Sequence, residues 1–341
     1  MNFVDEAKEM ALEAVNLAKK MKKISAFSIS STSNMRKDKL FFPPIRITPD
    51  AICANVIIFS KNEAKEIVKV IDGIVDVIFV DADEKIKNLD NLVSLIQNEV
   101  KKSKIFSLKI NDITAESADF LISQYFKHLK NKKVAIIGCG NIGSKIALKL
   151  AERGADVFIT RRNLKEIKIV AEGLNLIKPR NSTSKIIFTN NNYEAAKDAD
   201  IIIGFTNGIS VIDKKIVDIM KRDGMIIDGG IGTVFQEAID YAKEIGIKTI
   251  RLDIRASFSG AVKTAIETEN LIENVIGCKK IDGINVVAGG FIGKRGDIVV
   301  DSISSPTTVI GVADGIGGVL SSVSSNEYIV DLEKIREKIK K

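Results

Sequence analysis

Apolar residues run along this chain in two alternating rhythms. In short runs nearly every position is Ile, Val, Phe or Ala; in longer stretches such residues return every three or four positions among charges. The first rhythm predicts strands at 24–30, 54–60, 75–81 and 104–110, and the second predicts helices at 62–71 and 88–101 between them. Residues 1–20 carry Asp5, Glu6, Glu9 and Glu13 among apolar positions and read as an amphipathic helix, not a signal peptide. This alternation predicts an α/β layer domain over 1–114. Asp112 and Thr114 are candidate N-caps for a linking helix over 115–130, with His128 near its C-terminal end as a capping residue.

The βα rhythm then resumes, with strands predicted at 134–137, 157–160, 185–189, 201–205, 225–228 and 248–252. Their near-continuous Ile and Val content is that of strands buried on both faces, so 131–303 reads as a doubly wound parallel sheet of Rossmann type. Arg251, Asp253 and Arg255 alternate as residues on one face of a strand would. The tail changes character. Segments 284–288 and 297–303, joined by Gly-Gly-Phe-Ile-Gly-Lys-Arg-Gly, read as a hairpin. Ser304-Ser-Pro-Thr-Thr308 has the cap residues and early proline of a helix start, so helices are expected over 304–341, packing back towards the N-terminal domain. The fold class expected is therefore α/β, with two α/β domains and a cleft between them.

One run carries chemistry on its face. Val134 to Ile137 is an apolar strand, Gly138, Gly140 and Gly143 follow it as G-x-G-x-x-G, and an amphipathic helix begins there. Gly138 would permit the tight turn, Gly140 would let a diphosphate approach the backbone, and Gly143 would let the helix lie close to the strand. The amides near Asn141 and Ile142 would meet the anion at the positive end of the helix dipole. The next strand ends in Thr160-Arg161-Arg162-Asn163, with no acid to bond a ribose 2′-hydroxyl. Guanidinium groups bond phosphate in bidentate fashion, so Arg161 and Arg162 point to NADP as cofactor.

Composition narrows the class further. The chain has 341 residues, enough for two domains, and 45% hydrophobic with 28% charged residues is a soluble, globular balance. No apolar run is long enough to span a bilayer. Cys53, Cys139 and Cys278 form neither a disulfide framework nor a metal-ligand pair, which together with the absent leader leads us to expect a cytoplasmic protein without a metal site. The net charge of +7 is spread over helix faces among glutamates instead of clustering with aromatics, so neither nucleic acid nor membrane is expected as a partner. A small-molecule substrate and a homodimer are the expected associations.

The motifs resemble those of the two-domain dehydrogenases that include shikimate dehydrogenase, glutamyl-tRNA reductase and methylene-tetrahydrofolate dehydrogenase. Thr160-Arg161-Arg162 is similar to the Asn-Arg-Thr with which the shikimate and glutamyl-tRNA enzymes face the 2′-phosphate. Ala199-Asp-Ile-Ile-Ile-Gly-Phe-Thr-Asn-Gly208 resembles the strand whose end borders the nicotinamide, which implies Thr206, Asn207 and Gly208 as cofactor-binding residues. Met225-Ile-Ile-Asp-Gly-Gly-Ile-Gly232 resembles a segment of the folate enzymes and implies Asp228, Gly229 and Gly230 as well. The likeness covers residues 111 to 235, about a third of the chain. Of the Asn-Thr-Asp of shikimate dehydrogenases only Asp112 has a counterpart. Ser31-Thr-Ser-Asn34 is similar to the glutamyl-tRNA reductase motif around its nucleophilic cysteine, but Ser33 replaces that cysteine and cannot supply a thiolate.

Hydride chemistry needs groups that orient the substrate and handle a proton. The polar, basic loop after the first strand offers Ser33, Asn34, Arg36 and Lys39 for substrate binding and Lys37 for proton transfer, with Asp112 as its partner. Ser305 and Thr307 add hydroxyls that could hold a carboxylate or the nicotinamide amide. These features predict an NADP(H)-dependent oxidoreductase acting on a small polar acid, at a carbonyl/alcohol or imine/amine carbon, in the interdomain cleft. The alternatives are a methylene-tetrahydropterin or folate-type dehydrogenase, and a non-catalytic NADP-sensing or partner-binding protein.

Overall fold

The computed structural model describes residues 2–34, 36–322 and 324–340, so Met35 of the loop after the first strand lies outside the described residues. The chain separates into two compact units, Met1–Ala261 and Val262–Lys341. Among the described residues no helix is long and apolar enough to cross a membrane.

The first unit holds two sheets. Helix α1 (Phe3–Met21) precedes β1 (Ile24–Ser30); β2 (Arg46–Ile47), β3 (Ala51–Ile57), α2 (Lys61–Ile71), β4 (Val77–Asp81), α3 (Leu92–Glu99) and β5 (Lys104–Leu108) follow. The strands lie in the order β2-β3-β1-β4-β5, parallel apart from the short edge strand β2. Strand β3 starts three residues before the expected 54, because Ala51, Ile52 and Cys53 are buried and Ser60 is taken as the N-cap of α2 in a capping box with Glu63. Ala7, Ala11, Ala14 and Ala18 share one face of α1 and are buried with Phe27, Ile52 and Ile67. Such small side chains let the helix axis approach the sheet closely.

Helix α4 (Ile110–Tyr125) joins this sheet to the second. It starts and ends five residues before the expected bounds. Asp112 sits in its first turn and Thr114 just after it, bonding the Ile110 carbonyl, so neither caps it, and its N-cap is Lys109 with no side-chain cap bond. At the other end Phe126 and Leu129 turn inward onto the second core, which stops the helix and leaves His128 exposed beyond it, not capping it.

The second sheet is formed by β6 (Lys133–Ile137), β7 (Asp156–Thr160), β8 (Ile186–Thr189), β9 (Ile201–Gly204), β10 (Met225–Asp228) and β11 (Lys248–Arg251). Between successive strands lie α5 (Asn141–Glu152), α6 (Leu164–Ile177), α7 (Asn192–Ala196), α8 (Lys214–Ile219) and α9 (Gln236–Glu244). The order β8-β7-β6-β9-β10-β11, with every pair parallel, is the doubly wound Rossmann order. Its direction reverses between β6 and β9, and ligands of such sheets bind at the strand ends beside that reversal. Strand β11 stops at Arg251, so Arg251, Asp253 and Arg255 do not share a strand face; Arg255 instead pairs with Asp253 at 2.6 Å as α10 (Arg255–Asn270) begins. Early in α10 the chain returns to the first sheet: buried Phe258 meets Phe79 edge-on at 6.4 Å, with the Arg46 guanidinium 4.8 Å from its ring.

In the second unit β12 (Gly277–Ile281), β13 (Ile284–Ala288), β14 (Ile298–Val300) and β15 (Val309–Val312) form a sheet in that order, and Leu332 and Ile335 of α11 (Ile329–Ile339) join its core. Two expectations fail here. The segments read as a hairpin, β13 and β14, pair in parallel. The hairpin is β12–β13, around Asp282 and Gly283, whose φ values of 49° and 85° fit a primed turn. No helix starts at Ser304 either: the Thr307 and Thr308 amides and the Thr307 hydroxyl bond Asp301, closing a loop that feeds strand β15.

Those bonds, the Thr307 hydroxyl foremost and then the Thr308 amide, hold the Asp301 carboxyl down to about 2. A carboxyl below its unfolded value of about 3.9 favours the fold at higher pH and loses that contribution as the pH falls towards the folded value. Thermal melts of Asp301→Ala against the parent chain are expected to differ above about pH 4 and to converge towards pH 2; a gap independent of pH would exclude this role.

Candidate functional site

The glycine loop follows β6. Gly138 has φ +88°, and a Cβ there would lie 2.8 Å from the Phe205 carbonyl oxygen, so both backbone angle and space require glycine. The Gly138 and Cys139 amides donate to the Thr160 carbonyl at 3.2 and 2.8 Å, tying the loop to the end of β7. Gly143 packs α5 on the strand, since its Cβ would come within 3.3 Å of Ile136. Gly140 differs: a Cβ there would meet nothing within 4 Å. Open space therefore lies in front of the backbone where α5 begins, and a side chain would fill it.

The adjoining helix end suits an anion. Helix α5 has no side-chain cap bond and no acid in its first turn, so the amides around Asn141, Ile142 and Gly143 face no carboxylate of their own. Cys139 is buried, and burial pushes its thiol up to about 11, so it is no thiolate nucleophile at neutral pH. The residues present fit a diphosphate-bearing dinucleotide.

At the end of β7, Thr160 is buried and its hydroxyl donates to Asn192 at 2.8 Å; its carbonyl, not its side chain, serves the loop. Arg161 and Arg162 are exposed just beyond it. Arg161 pairs with Glu166 at 2.8 Å, and Asn163 caps α6 by accepting from the Lys165 and Glu166 amides. An exposed pair of this kind contributes about 0–1 kcal/mol, less than the roughly 1.5–3 kcal/mol of a charged hydrogen bond to phosphate.

The loops after β9 and β10 form the other side. The Gly229 and Gly230 amides both donate to the Gly204 carbonyl, which folds the two strand ends together. Asp228 turns into its own loop, accepting from the Gly232 amide at 2.6 Å and the Thr233 hydroxyl at 2.8 Å. Thr206 likewise bonds the Ile209 carbonyl. The loop after β1 reaches across to them. Asn34 donates to the Gly230 and Ile231 carbonyls at 3.0 and 3.2 Å; Arg36 donates to the Gly208 and Gly232 carbonyls at 2.6 and 3.0 Å and to the Ser210 hydroxyl at 2.9 Å. Ser33 contacts Asn207 at 3.4 Å. Asn34 and Arg36, expected to hold substrate, are thus engaged in holding the two strand-end regions together.

Lys37 and Asp112 are not partners. The Lys37 ammonium lies 5.1 Å from the Phe41 ring centroid, and Lys39 is exposed. Partial burial would raise the Asp112 carboxyl, but Lys109 and Lys145 bond its two oxygens and hold it below the ordinary range. Asp112–Lys145 is the first rung of a ladder between α4 and α5. Glu116–Lys149 at 2.7 Å and Asp119–Arg153 at 2.5 Å complete it. Such a ladder gives Asp112 a packing role. Ser305 and Thr307 belong to the second unit, where Thr307 serves the Asp301 loop.

A different pair occupies the strand ends of the first sheet. Asp81 closes β4 with its side chain fully buried, and the Lys85 ammonium, only 12% exposed, lies 2.5 Å from it. Lys85 also approaches Asp83 at 4.0 Å and the Ser31 carbonyl at 3.5 Å. Burial pushes the Asp81 carboxyl above the ordinary carboxylate range, against the pull of the Lys85 ammonium. Asn111 reaches this pair only through Asp83: its amide donates to Asp83 at 2.6 Å, the Asp83 amide donates to Asp81 at 3.0 Å, and the Asn111 side chain donates to Asn141 at 3.3 Å. The sheet order reverses at β1, beside β4, the second such reversal in the chain. In the sequence the only signal was an acid ending a predicted strand with a lysine four residues on.

Residues 133–211 match the family model described as NADP oxidoreductase coenzyme F420-dependent. The chain is 27% identical over 187 residues to a glutamyl-tRNA reductase of Caldivirga maquilingensis, covering 52% of this chain and 43% of that protein. It is 30% identical over 96 residues to a glutamyl-tRNA reductase of Thermosipho melanesiensis, 28% of this chain and 24% of that one. The chain thus spans less than half the length of these curated relatives. Among solved structures, a shikimate dehydrogenase in complex with NADP+ aligns at a TM-score of 0.43 and 16% identity, over 73% of this chain and 91% of that one. Sheet order and glycine loop make the second sheet of the first unit a Rossmann fold, and the family model that matches its first part is one of NADP oxidoreductases.

Proposed function

We propose that the chain is an NADP(H)-dependent oxidoreductase acting on a small polar acid at a carbonyl/alcohol or imine/amine carbon, with Lys85 as its proton-handling residue. The observation that carries this reading is the open cradle at Gly140, joined through Asn141, Asn111 and Asp83 to the buried Lys85–Asp81 pair. Bound nicotinamide would supply or accept the hydride. The amides at 138–143 would hold the diphosphate, and Arg161 with Arg162 the 2′-phosphate. In the reducing direction the Lys85 ammonium gives its proton to the substrate oxygen or nitrogen as carbon gains the hydride, and water restores that proton; Asp81 holds the ammonium in place. Lys37 and Lys39 remain the loop cations available to a substrate carboxylate.

Arg161→Ala is expected to weaken NADPH binding by roughly 10- to 100-fold, the equivalent of one charge-assisted hydrogen bond, and to leave NADH affinity almost unchanged. Fluorescence titration measures both. Equal losses for the two dinucleotides would exclude the clamp. Screening hydroxy acids, amino acids and reduced pterins for NADP reduction tests the catalytic part of the reading, and turnover of none of them by a chain that binds NADPH would favour a sensor.

A further inference from the structure

One face of the first sheet holds the core residues Phe27, Ile29, Ile52, Ala54 and Val80, and the other holds polar groups. Cys53 stands opposite Arg46 in the β2–β3 pair and Asn55 follows two positions on. Ser28 and Phe79 are level with Asn55 on β1 and β4, so all of these share the second face. The half-buried Arg46 guanidinium donates to the Asn55 side-chain oxygen at 2.9 Å and lies 4.8 Å from the Phe258 ring. Asn55 cannot turn away, because its own nitrogen already donates to the Pro44 and Cys53 carbonyls at 3.0 and 2.9 Å. Among the described residues no carboxylate pairs with Arg46, and its remaining N–H groups have no acceptor. Asp253, whose charge acts on it, is paired with Arg255 at 2.6 Å. Burial works against a guanidinium charge, so an arginine placed like this is ordinarily matched by an anion. Ser28 adds a second unused group. It is 3% exposed, and its hydroxyl makes no hydrogen bond among the described residues although its oxygen is not sealed from solvent.

We propose that Arg46 and Ser28 bind the carboxylate of the substrate, and that the chain takes an acid whose reacting carbon is remote from that carboxylate. A carboxylate accepts two parallel bonds from a guanidinium and another from a hydroxyl, which satisfies the groups left open on this face. Asn55 and Phe258 hold the guanidinium in place before a ligand arrives. The exposed loop cations Lys37 and Lys39 lack this enclosure. The remote carbon rests on the assignment of proton transfer to Lys85. Asp81, which holds Lys85, lies one strand over from Ser28 and two residues further along, on the same face, about 8 Å between Cα atoms in a regular sheet. A carboxylate at Ser28 is therefore several bonds from a carbon beside Lys85, and α-hydroxy and α-amino acids do not span the two.

Thermal melts of the full chain with straight-chain acids from propionate to octanoate, each beside its neutral amide at constant ionic strength, test the site without cofactor or turnover. At least one acid is expected to raise the melting temperature more than its amide does. Arg46→Gln should weaken that acid roughly 10- to 100-fold, the equivalent of one charge-assisted hydrogen bond, and Ser28→Ala about 2- to 10-fold. Neither should change NADPH affinity. An Arg46 that serves only the fold predicts a lower melting temperature for Arg46→Gln without ligand and no selective loss of acid binding. Should Arg46→Gln not fold, Ser28→Ala decides alone. The absence of any acid that outperforms its amide, or equal binding by the parent chain and the folded variants, would overturn the proposal. Turnover of an α-hydroxy acid at a rate unaffected by Arg46→Gln would overturn it while leaving the oxidoreductase reading intact. The melts involve no hydride transfer, so they succeed or fail apart from the Lys85 assignment.

Discussion

Replacing Lys85 by methionine is expected to lower turnover by about 10²- to 10⁴-fold, the range contributed by a positioned proton donor, while leaving NADPH affinity unchanged. The prediction follows from the confinement of the ammonium. It lies 2.5 Å from a fully buried carboxylate and near Asp83 and the Ser31 carbonyl, so its position is fixed by more than one acceptor. The substitution also leaves Asp81 buried without its ion partner, and breaking one side of a buried pair costs about 3–5 kcal/mol. Loss of activity could then reflect unfolding. The paired variant Lys85→Met, Asp81→Asn separates the effects, because it removes both charges and is expected to recover much of the melting temperature without recovering turnover. Recovery of turnover in the paired variant would show that Lys85 supports the fold and not the proton transfer.

Gly138→Ala and Gly140→Ala are expected to fail in different ways, though they are two residues apart in one motif. At Gly138 the added methyl enters a left-handed backbone and lies 2.8 Å from the Phe205 carbonyl oxygen. Strain of that kind costs roughly 1–3 kcal/mol, so the variant should melt at lower temperature with or without ligand. At Gly140 φ is −104° and the methyl meets no protein atom within 4 Å, so the apo-protein should melt close to the parent chain. The methyl would occupy the space through which a diphosphate reaches the backbone. A loss on the order of 2 kcal/mol, roughly thirtyfold in affinity, is expected. Equal NADPH affinities for Gly140→Ala and the parent chain would mean that the cradle is not used.

The contrast between those glycines shows what the sequence could carry. The roles of 138, 140 and 143 were readable because a strand, a turn and a helix follow in fixed order, and each role depends on local backbone. Continuous Ile and Val runs marked the six strands of the second sheet for a similar reason: burial on both faces leaves little room for polar residues. Lys85 was not readable. Asp81-Ala-Asp-Glu-Lys85 looks like a solvated charge run, and it becomes a site only because the Ser31 loop and Asn111, distant in sequence, close over it. Asp112 misled for the converse reason. Its isolated acid resembled a catalytic partner, whereas Lys145, 33 residues away, makes it a rung between two helices.

The tail shows the same limit in backbone terms. Hydroxyl residues and a proline at 304–308 satisfy the rules for a helix start, yet Asp301 accepts the bonds those residues can make and Val309 enters a strand. Local capping chemistry cannot distinguish a helix N-terminus from a loop closed by an upstream carboxylate. The Asp282-Gly283 turn was the stronger signal, because both residues adopt the positive φ that a two-residue hairpin requires.

A crystal structure of the full chain with bound NADPH tests the central claim most directly. The diphosphate is expected on the amides at 138–143, the 2′-phosphate beside Arg161 and Arg162, and the nicotinamide between the strand-end loops on the side of Lys85. A diphosphate bound anywhere else, or a nicotinamide facing away from Lys85, would contradict the account.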